Sequence, residues 1–192
     1  MRKCVLLFLI IMVSVAVFSQ DSKKNIYSGG MLFYQPGVTF SKTNYQVLKD
    51  NSNSIGGILR FYMADYLTAG IYGGNQRTNY PTSGSENSYL SVGYGGPFIG
   101  LSHKSGKFRY TLSGFGGMGT VKNLHIVSQS ANTLTQAFFS STSAFVYSPL
   151  ISFDYALTPK ISFTIQGIYL VAKYEKNTLY NPTLQFGILF NR

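Results

Sequence analysis

The chain has 192 residues, 16 Lys and Arg against 6 Asp and Glu, a formal charge of +10, 15 Tyr, 15 Phe and no Trp. Charged residues are 11% of the total, under half of the roughly 25% of an ordinary soluble domain. The single cysteine, Cys4, precedes the first apolar run and leaves with the segment read below as a signal. That excludes a disulfide framework, thiol catalysis, a Cys-ligated metal and a lipidated cysteine after the signal.

Residues 1–19 have the parts of an export signal. Arg2 and Lys3 come first, an apolar run follows from Val5 to Phe18, and Ser19 stands before a cut that leaves Gln20 first. The run is short for a bilayer-spanning helix and its flanks suit cleavage. The expected mature domain is 20–192, and no later apolar run reaches helix-spanning length.

Eight strand-like segments then follow one another, bounded by clusters of Gly, Pro, Asn, Asp and Ser. They run from Ile26 to Phe40, Ser54 to Met63, Leu67 to Gln76, Ser88 to His103, Phe108 to Val121, Gln136 to Tyr155, Ile161 to Lys173 and Thr183 to Phe190. The last two alternate most regularly. Ile161, Phe163, Ile165, Tyr169 and Val171 share one face against Ser162, Thr164 and Gln166; Leu184, Phe186, Ile188 and Phe190 oppose Gln185 and Gly187. That is the period of two of a strand. Connections alternate between tight (Ala64 to Tyr66, Lys104 to Lys107, Ala156 to Lys160) and longer polar ones (Ser41 to Asn53, Arg77 to Asn87, Lys122 to Thr135, Tyr174 to Pro182). Short turns on one side and long loops on the other are the layout of an up-and-down membrane barrel. The expected fold is therefore all-β, an eight-stranded antiparallel up-and-down transmembrane β-barrel with both ends of the chain on the short-turn side.

A soluble barrel alternates too, with its apolar face inward. The bore of an eight-stranded barrel, however, holds little more than side chains. The bulky set Phe145, Tyr147, Ile151, Phe153 and Tyr155 is therefore expected outward, and the small set Ser148, Ser152, Ser162, Thr164 and Gly187 inward. Tyr27, Tyr66, Tyr155, Tyr174 and Tyr180, near segment ends, are candidates for an interfacial girdle.

The stretches GGPFIGLSHKSGKFRYTLSGFGGMG (Gly95 to Gly119), SPLISFDYALTPKISFTIQG (Ser148 to Gly167), FYMADYLTAG (Phe61 to Gly70) and TLQFGILF (Thr183 to Phe190) carry a resemblance. They resemble the outer membrane protein beta-barrel family, the small OmpA/OmpX-like barrels, especially versions common in Bacteroidota. The resemblance implies the outer membrane of a Gram-negative cell, lipid and lipopolysaccharide as surroundings, and the barrel-assembly machinery as a partner during insertion. It brings no catalytic signature.

Three charged residues fall on inward parity near tight turns: Arg60, Arg109 and Asp154. We expect a structural lumen cluster in which Asp154 pairs with Arg60 or Arg109, because a buried charge left without its partner costs about 3 to 5 kcal/mol. His125 and Ser128, with Glu86 and Glu175 on neighbouring connections, form the alternative of an enzyme acting on lipid or peptide at the external rim. A second alternative is a soluble secreted barrel binding a small apolar ligand. No cofactor, metal or catalytic set is assigned; the glycines around Gly114 to Gly119 have no strand-to-helix context for a phosphate loop, and the basic residues form no stripe for nucleic acid. The leading expectation is a non-enzymatic envelope protein whose external loops contact lipopolysaccharide, surfaces or partner proteins, with Lys42, Lys49, Lys122, Lys173 and Lys176 able to meet lipid phosphates.

Overall fold

The computed structural model describes residues 27–43, 45–63, 66–130 and 133–191. The expected signal 1–19, the start of the mature chain and most of the turn Ala64 to Tyr66 lie outside the described residues. Eight strands form one closed antiparallel barrel in sequence order: β1 (Tyr27–Lys42), β2 (Val47–Met63), β3 (Leu67–Thr82), β4 (Ser85–Ser105), β5 (Phe108–Ser130), β6 (Thr133–Thr158), β7 (Ile161–Tyr174) and β8 (Asn177–Asn191). Closure is made by β1 on β8, with Met31 opposite Leu189 and Tyr34 opposite Phe186.

The outer wall is apolar and continuous across strands. Phe153 stands opposite Ile165, Ile165 opposite Phe186, Phe186 opposite Tyr34 and Tyr34 opposite Ile55; of these Phe153 is half-buried and the others are exposed. Leu32, at 71% exposure, and Ile55, at 74%, would each forfeit most of their burial energy in water. A belt of this extent far exceeds the apolar patches of soluble monomers. Among the girdle candidates, Tyr66 and Tyr180 are exposed and Tyr155 is half-buried, but Tyr174 points inward and shares a hydrogen bond with Ser41 at 3.0 Å. The side chain of Tyr27 lies outside the described residues.

Two expectations change. The four longer connections are strands for most of their length: β3 and β4 are joined by a turn at residues 83–84 and β7 and β8 by one at 175–176, while β5 and β6 run on to 23 and 26 residues. Polar residues such as Thr, Ser, Asn and Gln pair in a ladder there without an apolar face, so no period marks them. The bore also departs from a uniformly small polar lining. Phe33, Tyr72, Tyr94, Phe98 and Phe115 all point inward and are buried, and their rings pack together, Tyr72 lying 5.0 Å from Phe115 edge-on and 5.6 Å from Phe33.

Glycine makes that filling fit. Gly56 faces inward beside Phe33, and a methyl group there would overlap both the Phe33 ring and the carbonyl oxygen of Gly73. At outward Gly114 an added carbon meets nothing within 4 Å. Gly56→Ala is therefore expected to destabilise the refolded barrel by about 1 to 3 kcal/mol, the usual cost of overpacking, while Gly114→Ala leaves it unchanged; urea titration of the heat-modifiable gel band separates the two.

Candidate functional site

The bore is a stack of polar and aromatic layers. At the end carrying the termini, the strand pairing sets Arg109 directly opposite Asp154, and Arg60 reaches the same carboxylate across the lumen from β2. Arg60 Nη1 lies 3.0 Å from Asp154 Oδ2 and 3.3 Å from Oδ1, and Arg60 Nη2 donates to Gln166 Oε1 at 2.7 Å. Thr164 Oγ1, opposite Asp154 on β7, donates to Asp154 Oδ1 at 2.7 Å. The two charged side chains are 3% and 4% exposed, so the pair has lost its water and is held by charge-assisted hydrogen bonds on both partners.

Of the two arginines left open for Asp154, Arg60 takes it. Arg109 is half-buried; its guanidinium lies 3.9 Å from the centroid of the Tyr62 ring and donates to Ser102 Oγ at 3.3 Å. The cause is depth: Arg60 is two residue pairs, one inward position, further from the β2–β3 turn than Tyr62, and the Tyr62 ring between them lies against the Arg109 guanidinium.

The next layer was not found from sequence. Gln35 Oε1 accepts from Tyr72 at 3.3 Å, from Tyr94 at 3.1 Å and from Gln185 Nε2, while Gln35 Nε2 donates to Gln76 Oε1 at 2.9 Å. Each of these residues is an alternating inward position, a weak signal alone. Only the closed ring of strands brings β1, β3, β4 and β8 to one point. Above it Asn181 Nδ2 donates to Thr39 at 2.7 Å and to Ser52 at 2.9 Å, and Tyr80 donates to Asn123 at 2.6 Å. These layers fill the bore between its two ends with buried, hydrogen-bonded side chains.

The rim residues do not assemble as a nucleophile, base and acid. His125 is stacked face to face on Tyr45 at 4.2 Å, with Tyr80 at 6.2 Å. Glu175 accepts from Thr142 at 3.1 Å, and Ser128 stands opposite Gln136 in the β5–β6 ladder. Among the described residues no group of three or more His, Cys, Asp and Glu is placed to hold a metal. His103 is exposed at the opposite end, beside Tyr110.

At that opposite end the bore opens into a cavity of about 380 Å³, lined by Lys104, Lys107, Arg109, Tyr62 and Phe108 and reaching Asp154. On the outer wall at the far end, three cations lie over aromatic rings: Arg77 at 4.1 Å from Tyr89, Lys173 at 5.6 Å from Tyr147 and Lys49 at 5.8 Å from Phe40.

Asp154→Ala leaves Arg60 charged and dry and is expected to cost about 3 to 5 kcal/mol. Lys49→Ala removes only an exposed charge and is expected to cost under about 1 kcal/mol. Thermal unfolding in the same detergent checks this; equal shifts would mean that the buried pair contributes no more than a surface charge.

No protein-family model matches the chain, and no curated protein matches it. Solved structures do. The crystal structure of Neisserial surface protein A aligns at a TM-score of 0.55 with 12% identity, covering 84% of this chain and 96% of that one. The outer membrane protein OprG from Pseudomonas aeruginosa aligns at 0.53 with 10% identity, covering 88% and 97%. Ail, the attachment invasion locus protein of Yersinia pestis, solved in complex with the heparin analogue sucrose octasulfate, aligns at 0.50 with 13% identity, covering 85% and 99%. The ring of eight antiparallel strands described here is the fold of these small outer-membrane barrels, shared with little sequence in common.

Proposed function

We propose that the chain is a non-enzymatic barrel of the Gram-negative outer membrane, of the type common in Bacteroidota, that holds a protruding hairpin outside the cell as a docking edge for a partner protein. Export uses the cleaved segment 1–19, and the barrel-assembly machinery inserts the domain 20–192. The apolar belt replaces water with hydrocarbon. The outward cations at the end opposite the termini, Lys49, Arg77 and Lys173 over their aromatic rings, with Lys42 and Lys122, sit where lipopolysaccharide phosphates gather, each stem lying along the wall while its charge reaches the headgroups.

The observation that carries the docking role is a free strand edge. Strand β7 meets β6 first at Phe145, opposite Lys173, yet β6 begins at Thr133. Over Thr133 to Ala144 it is paired with β5 on one side, and no described strand pairs with the other. At about 3.3 Å per residue this edge is about 35 Å long. Its own residues include no charge and no proline, Glu175 of the β7–β8 turn meets it at Thr142, and Leu134, Phe138 and Phe139 are exposed on it. Soluble proteins normally blunt such an edge with lysine, proline or a bulge, because it templates pairing with another chain. An extended segment of a partner would continue the sheet, its backbone supplying affinity and Phe139 a side-chain contact.

Two measurements test the reading. Surface protease on intact cells is expected to cut within the β5–β6 hairpin and leave the rest of the barrel protected in the membrane fraction; an intact chain in the soluble periplasm overturns membrane placement. A photo-cross-linker on Ser141→Cys is expected to capture a discrete partner that the same label on Leu184→Cys, in the belt, does not. Adding Phe139→Lys should reduce that capture at least about ten-fold, an edge charge being the natural block to strand addition; equal capture from both positions overturns the docking edge.

A further inference from the structure

The cavity at the end carrying the termini has a charge pattern that the described residues leave open. Lys104 on β4 and Arg109 on β5 are directly opposite each other, both line the cavity, and Lys107 from the turn between these strands joins them. Like charges directly opposite across a ladder repel. The acid within reach is Asp154, which also borders the cavity, but its two oxygens are already taken by Arg60 and Thr164. The Arg60–Asp154 bridge is the one ion pair among the described residues, so three cations converge on a concave space with no carboxylate of the described residues to answer them.

The remaining lining is mixed, with Thr158, Ser162 and Asn191 as its polar part and an apolar and aromatic part beside them. Phe108, Pro159 and Leu189 form walls, and the Tyr62 ring lies under Arg109 as a flat floor. The volume of about 380 Å³ falls in the range of small-molecule sites, about 300 to 1,000 Å³. A cavity with cations on one side and rings on the other selects an anion attached to an apolar body. The guanidinium of Arg109 is already oriented by Ser102 and Tyr62, so its planar fork loses little freedom on meeting a carboxylate.

We propose that this cavity is a binding site for an amphipathic carboxylate, gripped by Lys104, Lys107 and Arg109 with its apolar part against Phe108, Pro159 and Leu189. The site lies at the opposite end from the docking edge and stands independently of it. Two sources present that chemistry: a free small organic acid, or the C-terminus of a peptide ending in an apolar residue.

The test uses the full refolded barrel, isotopically labelled, in zwitterionic nanodiscs. 3-Phenylpropanoate is titrated against 3-phenylpropanamide, its neutral isostere, and Gly-Gly-Phe with a free C-terminus against its amide. The free acids are expected to shift the amide signals of Ser102, Lys104, Lys107 and Arg109 saturably, with an affinity that falls as salt is raised, and the neutral forms to leave them unmoved. Lys104→Gln with Lys107→Gln, both exposed positions, should weaken binding at least about ten-fold, whereas Lys49→Gln with Lys173→Gln at the far rim should leave it unchanged; each loss of one such charge contact is taken as roughly three-fold or more. Binding of the small acid alone assigns the site to free acids, and binding of the peptide to chain ends. Equal shifts by acids and neutral forms, shifts spread over the lipid belt, or an affinity unchanged by the Lys104 and Lys107 substitutions would each overturn the proposal.

Discussion

Closure of the sheet is the constraint on which the rest of the molecule depends. In hydrocarbon an unpaired backbone amide or carbonyl has no water to turn to, so a spanning sheet must end on itself. Here β8 returns to β1, and Met31 against Leu189 and Tyr34 against Phe186 complete the ring. With eight strands the circumference is fixed and the bore is narrow. Everything inside must then fit by volume and satisfy its own hydrogen bonds. The Arg60–Asp154 pair with Thr164 and Gln166 and the Gln35 layer answer most of that demand in two ways, one with charge and one with neutral amides and phenols, with Gln76 Nε2 and Gln185 Oε1 left over.

Much of the fold was legible in the sequence because the belt writes a period of two into the chain. Ile165, Phe163 and Phe186 alternate with Gln166, Thr164 and Gln185, and the structure puts the first set outside and the second inside. What escaped are features where two local periods do not suffice. Tyr72 and Phe115 sit inward because Gly56, Gly74 and other glycines on different strands open room for rings, and a compensation between strands leaves no local mark. The end of β5 from Lys122 and the start of β6 to Thr135 read as a polar loop because a ladder in water needs no apolar face. Val171, outward by parity, is buried at 4% exposure, opposite Tyr147 and Tyr180 on the neighbouring strands.

The candidate residues were legible to different degrees for the same reason. Arg60, Arg109 and Asp154 stood out because a charge at an inward position of a narrow barrel is costly and rare. Their parity put them in one space, but the partner choice depended on depth, which differs by two residue pairs, a single inward position, between Arg60 and Tyr62. Lys104 and Lys107 entered only as the bounds of a tight connection, since a lysine beside a tight turn carries no signal until its cross-strand neighbour is known. His125 and Ser128 show the converse: nearness in sequence suggested chemistry, and the ladder instead places His125 under the Tyr45 ring.

The two ends of the barrel solve opposite problems. At the end with the termini the strands stop together in short turns, as at Gly106, whose φ of +59° lets the chain reverse between Ser105 and Phe108. Among the described residues no strand runs on past the turns there, and the cations gather around a hollow. At the other end β4, β5 and β6 outrun β7 and β8, being 21, 23 and 26 residues long against 14 and 15. A closed ring cannot be extended by some strands only without creating edges, so unequal lengths turn a structure whose stability comes from having no edge into one that offers a long edge along β6 before Phe145. The buried layers beneath keep the ring rigid, which holds that edge at a fixed height above the belt and lets the protruding sheet vary without disturbing closure.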